Sequence, residues 1–135
     1  YQNPNIEVHF VDELDLGPYH SVLDYLYAEL KAADCSLIIC KRVNFGVGYT
    51  AVLDAMACAT AIIATHHPDN PIDIDEKGIG MTTPPEDIQA LHNRIKHLVD
   101  HPEETRKYCL RARQLVEQRY NIRRVAAQVL DTLLD

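Results

Sequence analysis

The spacing of apolar and polar positions changes period several times along the chain, and each change marks an element. Ile6, Val8 and Phe10 alternate with Glu7 and His9, which predicts a strand over Ile6–Val11. Asp12–Pro18 is rich in turn formers. Ser21 stands three residues before Asp24, an N-cap with an acidic capping partner. Val22, Leu26, Leu30 and Ala33 recur at helical spacing, so Ser21–Ala33 reads as an amphipathic helix. Cys35–Cys40 is a short apolar run and predicts a buried strand. Asn44–Gly48 is a loop with two glycines. Thr50–Ala59 is apolar on nearly every side, the pattern of a helix buried all round.

Ala61–Thr65 is a second β-branched, apolar run, and His66–Pro71 is a polar turn. Gly80–Thr83 predicts a last short strand. Pro84, Pro85, Glu86 and Asp87 then open a helix, with proline early and acids near the first turn. Ile88, Leu91, Ile95 and Leu98 form its inner stripe. Asp100-His101-Pro102 breaks it, and Glu103–Tyr120 is a further helix with Leu110, Leu115 and Val116 inward and Asn121 as its C-cap. Ile122–Leu134 is the last helix, through Val125, Val129 and Leu133.

Strands that alternate with helices in this order predict an α/β fold, a Rossmann-like parallel sheet with helices on both faces. In such sheets ligands bind outside the carboxyl ends of the strands. A length of 135 residues fits one domain. Lys and Arg total 13 against 20 Asp and Glu, a net charge of −7, which argues against a nucleic-acid partner because phosphate contacts need a basic face. No segment approaches the roughly 20 apolar residues that a transmembrane helix needs. The four cysteines, Cys35, Cys40, Cys58 and Cys109, lack CxxC spacing and read as buried free thiols in a reducing compartment. The chain starts at Tyr1 without a signal peptide and is expected to be a piece of a longer one.

Candidate chemistry concentrates between the second predicted strand and the buried helix. Gly46 and Gly48 permit positive φ and close approach of a ligand to the backbone, with Val47 between them. The first N–H groups of the following helix, from Tyr49 and Thr50 onward, have no internal partner, so the segment forms an anion site suited to a phosphate or diphosphate. Thr50 can cap that helix or add a hydroxyl donor. Asp54 is the only Asp, Glu, Lys or Arg between Arg42 and Asp69. A carboxylate in a buried helix needs a partner, and a ribose diol or an internal donor would serve. Lys41 and Arg42 close the second strand and can hold phosphate or be solvated. His66-His67 with Asp69 suggests a metal only weakly, because adjacent side chains on an extended segment point apart, and no metal is assigned.

These residues lie in blocks that resemble a known family. Leu53–Thr65 resembles the LEAMACGTPVIAT block of family 4 glycosyltransferases, and Gly78–Leu91 resembles their G.TGLLVPPGDVEAL block, at the same interval. Asn5–Phe10 is similar to the NVxFxG strand, and the last two helices follow the closing pattern of the family. The resemblance implies a two-domain enzyme of GT-B type. This chain would be most of its carboxy-terminal, nucleotide-sugar-binding domain over residues 1–135, without its first strands and their diphosphate-binding Arg and Lys. Residues 122–135 would form a terminal crossover helix with part of its apolar stripe exposed. The motif of two Glu residues separated by seven places the second on Asp54 and the first on Gly46. Cys58-Ala59-Thr60-Ala61 lacks the family's Gly and Pro, and His66–Pro71 lacks its glycine pair.

The resemblance thus implies transfer of a sugar from a UDP- or GDP-linked donor to a glycan, lipid or similar acceptor, as in polysaccharide biosynthesis. The donor is substrate, no further cofactor is implied, and the chemistry is retaining by analogy. The implied donor contacts are Lys41, Arg42, Gly46, Val47, Gly48, Tyr49, Thr50 and Asp54, with no catalytic base assigned. The partner would be an amino-terminal acceptor domain, and the place cytoplasmic or at the inner membrane surface. Two other readings are a nucleotide-sugar epimerase of the same fold and a degenerate, non-catalytic nucleotide-binding module.

Overall fold

The computed structural model describes residues 17–42 and 46–134. The expected strand over Ile6–Val11 lies outside them. Three strands, β1 (Cys35–Ile38), β2 (Ala61–Thr65) and β3 (Gly80–Thr83), form one sheet in the order β1-β2-β3, and both pairings are parallel. The register sets Ile38 beside Ala64, and Ala64 beside Thr82. The helices are α1 (Val22–Ala32), α2 (Tyr49–Ala57), α3 (Ile74–Lys77), α4 (Ile88–Asp100), α5 (Pro102–Arg119) and α6 (Ile122–Leu134).

The central strand β2 builds the core on both sides. Successive side chains of a strand point to opposite faces. Ile62 and Ala64 accordingly pack with Val52, Ala55 and Met56 of α2, while Ala61 and Ile63 pack with Met81 and Leu98 on the other face. Helix α5 touches both α2 and α4 and adds the buried Ala112. The α/β class with a parallel sheet is as the pattern predicts, and each expected strand within the described residues forms.

Several boundaries and faces differ from expectation. Among the described residues strand β1 pairs on one side only, with β2, and it is half-exposed, with Leu37 at 47% exposure. Helix α1 starts as predicted, with Ser21 Oγ accepting from the Asp24 N–H at 3.1 Å, yet buries no residue, and Val22 and Leu26 are exposed. Helix α2 is not buried all round, since Thr50 and Ala51 face solvent. It is capped by Gly48 at φ 80°, not by Thr50. Ile88 and Leu110, assigned to inner stripes, are exposed.

Asp87 caps α4 by accepting from the Ala90 N–H at 2.8 Å, so the helix opens after the acidic pair rather than with it. The C-cap position of α5 is Tyr120, and Asn121 next to it donates from Nδ2 to the Glu117 carbonyl of the last turn. Asn121 Oδ1 accepts from the Arg124 N–H at 3.0 Å and so also caps α6. The short α3 has no counterpart among the expected elements; its Asp73 cap and left-handed Gly78 bracket a single turn that buries Ile74. The four cysteines are free and half-buried rather than buried.

Two reversals of the chain show how local chemistry ends these helices. After α2 the Thr60 N–H reaches the Ala55 carbonyl at 3.0 Å, with Ala59 left-handed at φ 56°. After α3 the Ile79 N–H reaches the Ile74 carbonyl at 3.2 Å, with Gly78 left-handed at φ 59°. Both are six-to-one closures that satisfy a terminal carbonyl and deliver the chain into the next strand.

Candidate functional site

All three strands point their carboxyl ends at one open cleft of about 440 Å³. Cys40, Lys41 and Arg42 follow β1, Thr65 ends β2 and His66 through Asp69 follow it, and Pro85 follows β3. Val47 contributes from the glycine loop. The strand ends are stitched together beneath it. The Cys40 N–H donates to Thr65 Oγ1 at 3.0 Å, and the His66 N–H donates to the Thr83 carbonyl at 2.8 Å. This is the position at which a parallel α/β sheet presents a ligand site, because the chain leaves the sheet there and loops splay apart.

The loop after β2 is held in shape by its own polar groups. The Asp69 N–H donates to His67 Nδ1 at 3.1 Å, and the Asn70 N–H donates to the His67 carbonyl at 3.1 Å. Asn70 Oδ1 then accepts from the Ile72 N–H at 3.3 Å, which leads the chain back into the core. A backbone donor at Nδ1 puts the proton of neutral His67 on Nε2, an assignment that follows from the hydrogen bond.

The glycine loop meets this loop closely. A Cβ on Gly46 would stand 3.2 Å from the Asp69 carbonyl oxygen. A side chain at 46, including the acidic residue that the resembling motif carries there, therefore needs the Asp69 carbonyl to give by a few tenths of an ångström. Gly48 is constrained twice over, by its left-handed φ and by Ile38 Cγ2, which lies 2.6 Å from where a Cβ would stand. It turns the chain into α2, whose first internal bond is Val52 N–H to the Gly48 carbonyl at 3.0 Å. The N–H groups of Tyr49, Thr50 and Ala51 thus have no helical acceptor, and among the described residues no side chain caps them.

The predicted residues divide into two groups. Lys41, Arg42 and Val47 line the cleft, with both cations exposed. Gly46 sits against the Asp69 carbonyl of the cleft wall, and Gly48 forms the turn beside it. Thr50 is exposed on the first turn of α2. Tyr49 packs on the core, and burial with Tyr120 nearby pushes its hydroxyl pKa up. Asp54 is half-buried and does not line the cleft; its Oδ1 accepts from the Tyr27 hydroxyl of α1 at 3.3 Å. The Asp54 carboxylate, together with partial burial, raises the Tyr27 pKa.

Sequence reasoning does not reach Thr65, Asp69 and Pro85 as cleft residues, nor Tyr27 as the partner of Asp54. The rule that ligands gather at strand carboxyl ends is the signal for the first three. His66 and His67, which the sequence raises only as metal ligands, form cleft wall. Among the described residues no three His, Cys, Asp or Glu side chains converge as a metal site.

Comparison with known proteins bears on this geometry. A model of the family "Glycosyl transferases group 1" matches residues 9–115, and no curated protein matches. HepE of Anabaena, solved in complex with UDP, superposes with a TM-score of 0.66 at 23% identity, over 77% of this chain and 28% of that one. The C-terminal domain of the glycosyl transferase group 1 family protein LpcC from Francisella tularensis superposes with a TM-score of 0.59 at 23% identity, over 85% of this chain and 53% of that one. The chain therefore spans about a quarter and about half of the two solved chains, and at this identity they establish the shared fold. No helix among the described residues is long and apolar enough to cross a membrane. The family match over most of the sequence, on a parallel α/β sheet with its cleft at the strand ends, shows that the chain belongs to the glycosyl transferases group 1 family.

Proposed function

We propose that this chain is the donor-binding, carboxy-terminal portion of a family 4 glycosyltransferase of GT-B type. It would take a sugar from a UDP- or GDP-linked donor for transfer to a glycan, lipid or similar acceptor held by a separate amino-terminal domain. The observation that carries the reading is that Lys41, Arg42 and Val47 of the glycine loop line one cleft, and that this loop runs directly into the uncapped start of α2. Cations and unsatisfied N–H groups together suit a diphosphate. The partial coverage of both solved chains agrees with a portion of a larger enzyme, and the UDP of the Anabaena relative agrees with the ligand class.

The chemistry follows from the charges. Breaking the bond between the anomeric carbon and the diphosphate oxygen leaves an electron pair, and an added negative charge, on the departing nucleotide. Fixed N–H dipoles and two cations stabilise that charge more than they stabilise the intact donor, which lowers the barrier. No side chain of this portion is assigned as a base.

Calorimetric titration of the chain with UDP and with GDP tests the reading. Saturable binding of one of them is expected, weakened about tenfold when Lys41 and Arg42 are both changed to Ala, the scale of two exposed charge-assisted contacts. Failure to bind either nucleotide would sink it.

A further inference from the structure

The walls of the cleft differ in charge. Lys41 and Arg42 stand at the end of β1, and the turn after β2 carries Asp69, whose side chain is 70% exposed. Among the described residues lining the cleft, Asp69 is the sole carboxylate. A diphosphate is drawn to the first wall; on the second, the Asp69 carboxylate opposes it, with His67 Nδ1 at 3.9 Å from Asp69 Oδ2 on the same turn. A neutral sugar has the opposite need: its hydroxyls are donors, and adjacent hydroxyls can share the two oxygens of one carboxylate.

The position of Asp69 is determined by backbone contacts rather than left to a floppy loop. Its N–H is bonded to His67 Nδ1 at 3.1 Å, and the next N–H, of Asn70, is bonded to the His67 carbonyl at 3.1 Å. Its carbonyl lies close to Gly46, where an added Cβ would stand 3.2 Å from the carbonyl oxygen. The same glycine that opens the phosphate-facing loop therefore lets the acidic turn close in beside it.

We propose that Asp69 is the sugar-recognition residue of this cleft, accepting hydrogen bonds from neighbouring hydroxyls of a neutral donor hexose while Lys41 and Arg42 hold the diphosphate. The proposal rests on the reading of the cleft as a nucleotide-sugar site and adds its polarity and substrate class. A uronic-acid donor, with a carboxylate of its own, is disfavoured by the same wall.

The test compares bare nucleotides with their sugars on the parent chain, Asp69→Asn and Asp69→Ala. The probes are UDP, GDP, UDP-glucose, UDP-glucuronate and GDP-mannose. For the neutral sugar nucleotide that the parent binds more tightly than the bare diphosphate, both variants should weaken binding about tenfold. Binding of the bare nucleotide should stay level or tighten, because a like charge has been removed. That opposition of sign is not produced by a merely structural residue, and the exposure of Asp69 makes loss of fold easy to exclude by thermal unfolding. Equal weakening of both ligand types, no change in either, or a parent that prefers UDP-glucuronate or bare nucleotide would overturn the inference while leaving nucleotide binding standing. A parent that binds no nucleotide at all removes the underlying reading and the inference with it.

Discussion

The Tyr27 hydroxyl donates to Asp54 Oδ1 across 3.3 Å and ties the middle of α1 to the middle of α2. The bond answers the question that a carboxylate on an apolar helix poses, since an internal donor satisfies one of its oxygens. It also raises the Tyr27 pKa, because ionising the phenol would place a second negative charge beside Asp54. The sign follows: a folded pKa above the unfolded one contributes stability that is present below pH 10 and is lost as pH climbs through the folded value. Spectrophotometric titration should find one fewer late-ionising tyrosine in Asp54→Asn than in the parent, with Tyr49 and Tyr108 ionising late in both. An unchanged titration curve would show that the pair is not formed.

The same substitution tests ribose contact. Asp54→Asn should weaken UDP or GDP binding by ~1–3 kcal/mol if the second carboxylate oxygen also serves the ligand, the scale of a charge-assisted hydrogen bond. Tyr27→Phe separates the roles, since it breaks the α1–α2 tie and keeps the carboxylate. Equal affinity of parent and Asp54→Asn would assign Asp54 to the helix contact alone.

Ala59 at φ 56° and Glu86 at φ 63° are the positive-φ residues other than glycine among the described ones. They fall where the two resembling family blocks carry glycine. An L side chain in the left-handed region costs roughly 1–2 kcal/mol, partly offset by the greater freedom of glycine in the unfolded chain. Ala59→Gly and Glu86→Gly should each stabilise the protein by about 0.5–1 kcal/mol. Denaturant unfolding midpoints read this, and a lower midpoint for both variants would contradict the strain account.

Glycine is required in the opposite sense at Gly80. A Cβ there would lie 2.2 Å from the Ile62 carbonyl oxygen, in the heart of the β2–β3 pairing. Backbone cannot yield as a flexible side-chain tip does, so Gly80→Ala should destabilise by more than about 3 kcal/mol, beyond the usual effect of a single substitution. A soluble variant with parental thermal stability would show that the strands part easily.

Glu104 accepts from Tyr108 of the same helix, α5, at 2.5 Å, and its contact with His97 Nε2 at 3.0 Å joins α5 to α4. The Tyr108 hydroxyl and then His97 hold the Glu104 pKa below the ordinary carboxylate range, while burial and Glu104 push Tyr108 up to about 12. A lowered acid contributes stability above its unfolded pKa and loses it as pH falls through the folded value. The raised tyrosine contributes below pH 10 and loses it as pH rises toward about 12. Thermal unfolding across pH should show the acid limb flattened in Glu104→Gln and the alkaline limb flattened in Tyr108→Phe. Parallel curves for parent and variants would remove the pair from the pH-dependent contacts.

The apolar stripe of α6 is uncovered: Val129, Leu130 and Leu133 are exposed, as the width of the stripe on so short a helix implies. Leu130→Glu with Leu133→Glu should leave unfolding of the described core within about 0.5 kcal/mol of the parent, as surface substitutions do. A loss of several kcal/mol would mean that the stripe closes this core after all.

How much is legible in advance depends on the range of the interaction concerned. The cap at Ser21, the strand runs at Ala61–Thr65 and Gly80–Thr83, and the bounds of α6 are near-neighbour chemistry, and the sequence states them directly. The parallel sheet follows from their order. The glycine loop and the cations at the end of β1 are legible as candidate site residues because glycine and charge mark themselves, and Lys41, Arg42 and Val47 do line the cleft.

Burial is harder to read. Leu37, Ile88 and Leu110 carry the right period yet stay exposed, since a stripe shows which side is apolar and not whether anything covers it. The same limit hides Tyr27 from Asp54, 27 residues away, and Asp69 from Gly46. By itself, then, the sequence determined the elements, their order and the family, because these depend on neighbours along the chain. Which side chains share one cleft, and which apolar faces find a partner, was decided by tertiary structure alone, because only closure of the sheet sets the distances between residues that are far apart in sequence.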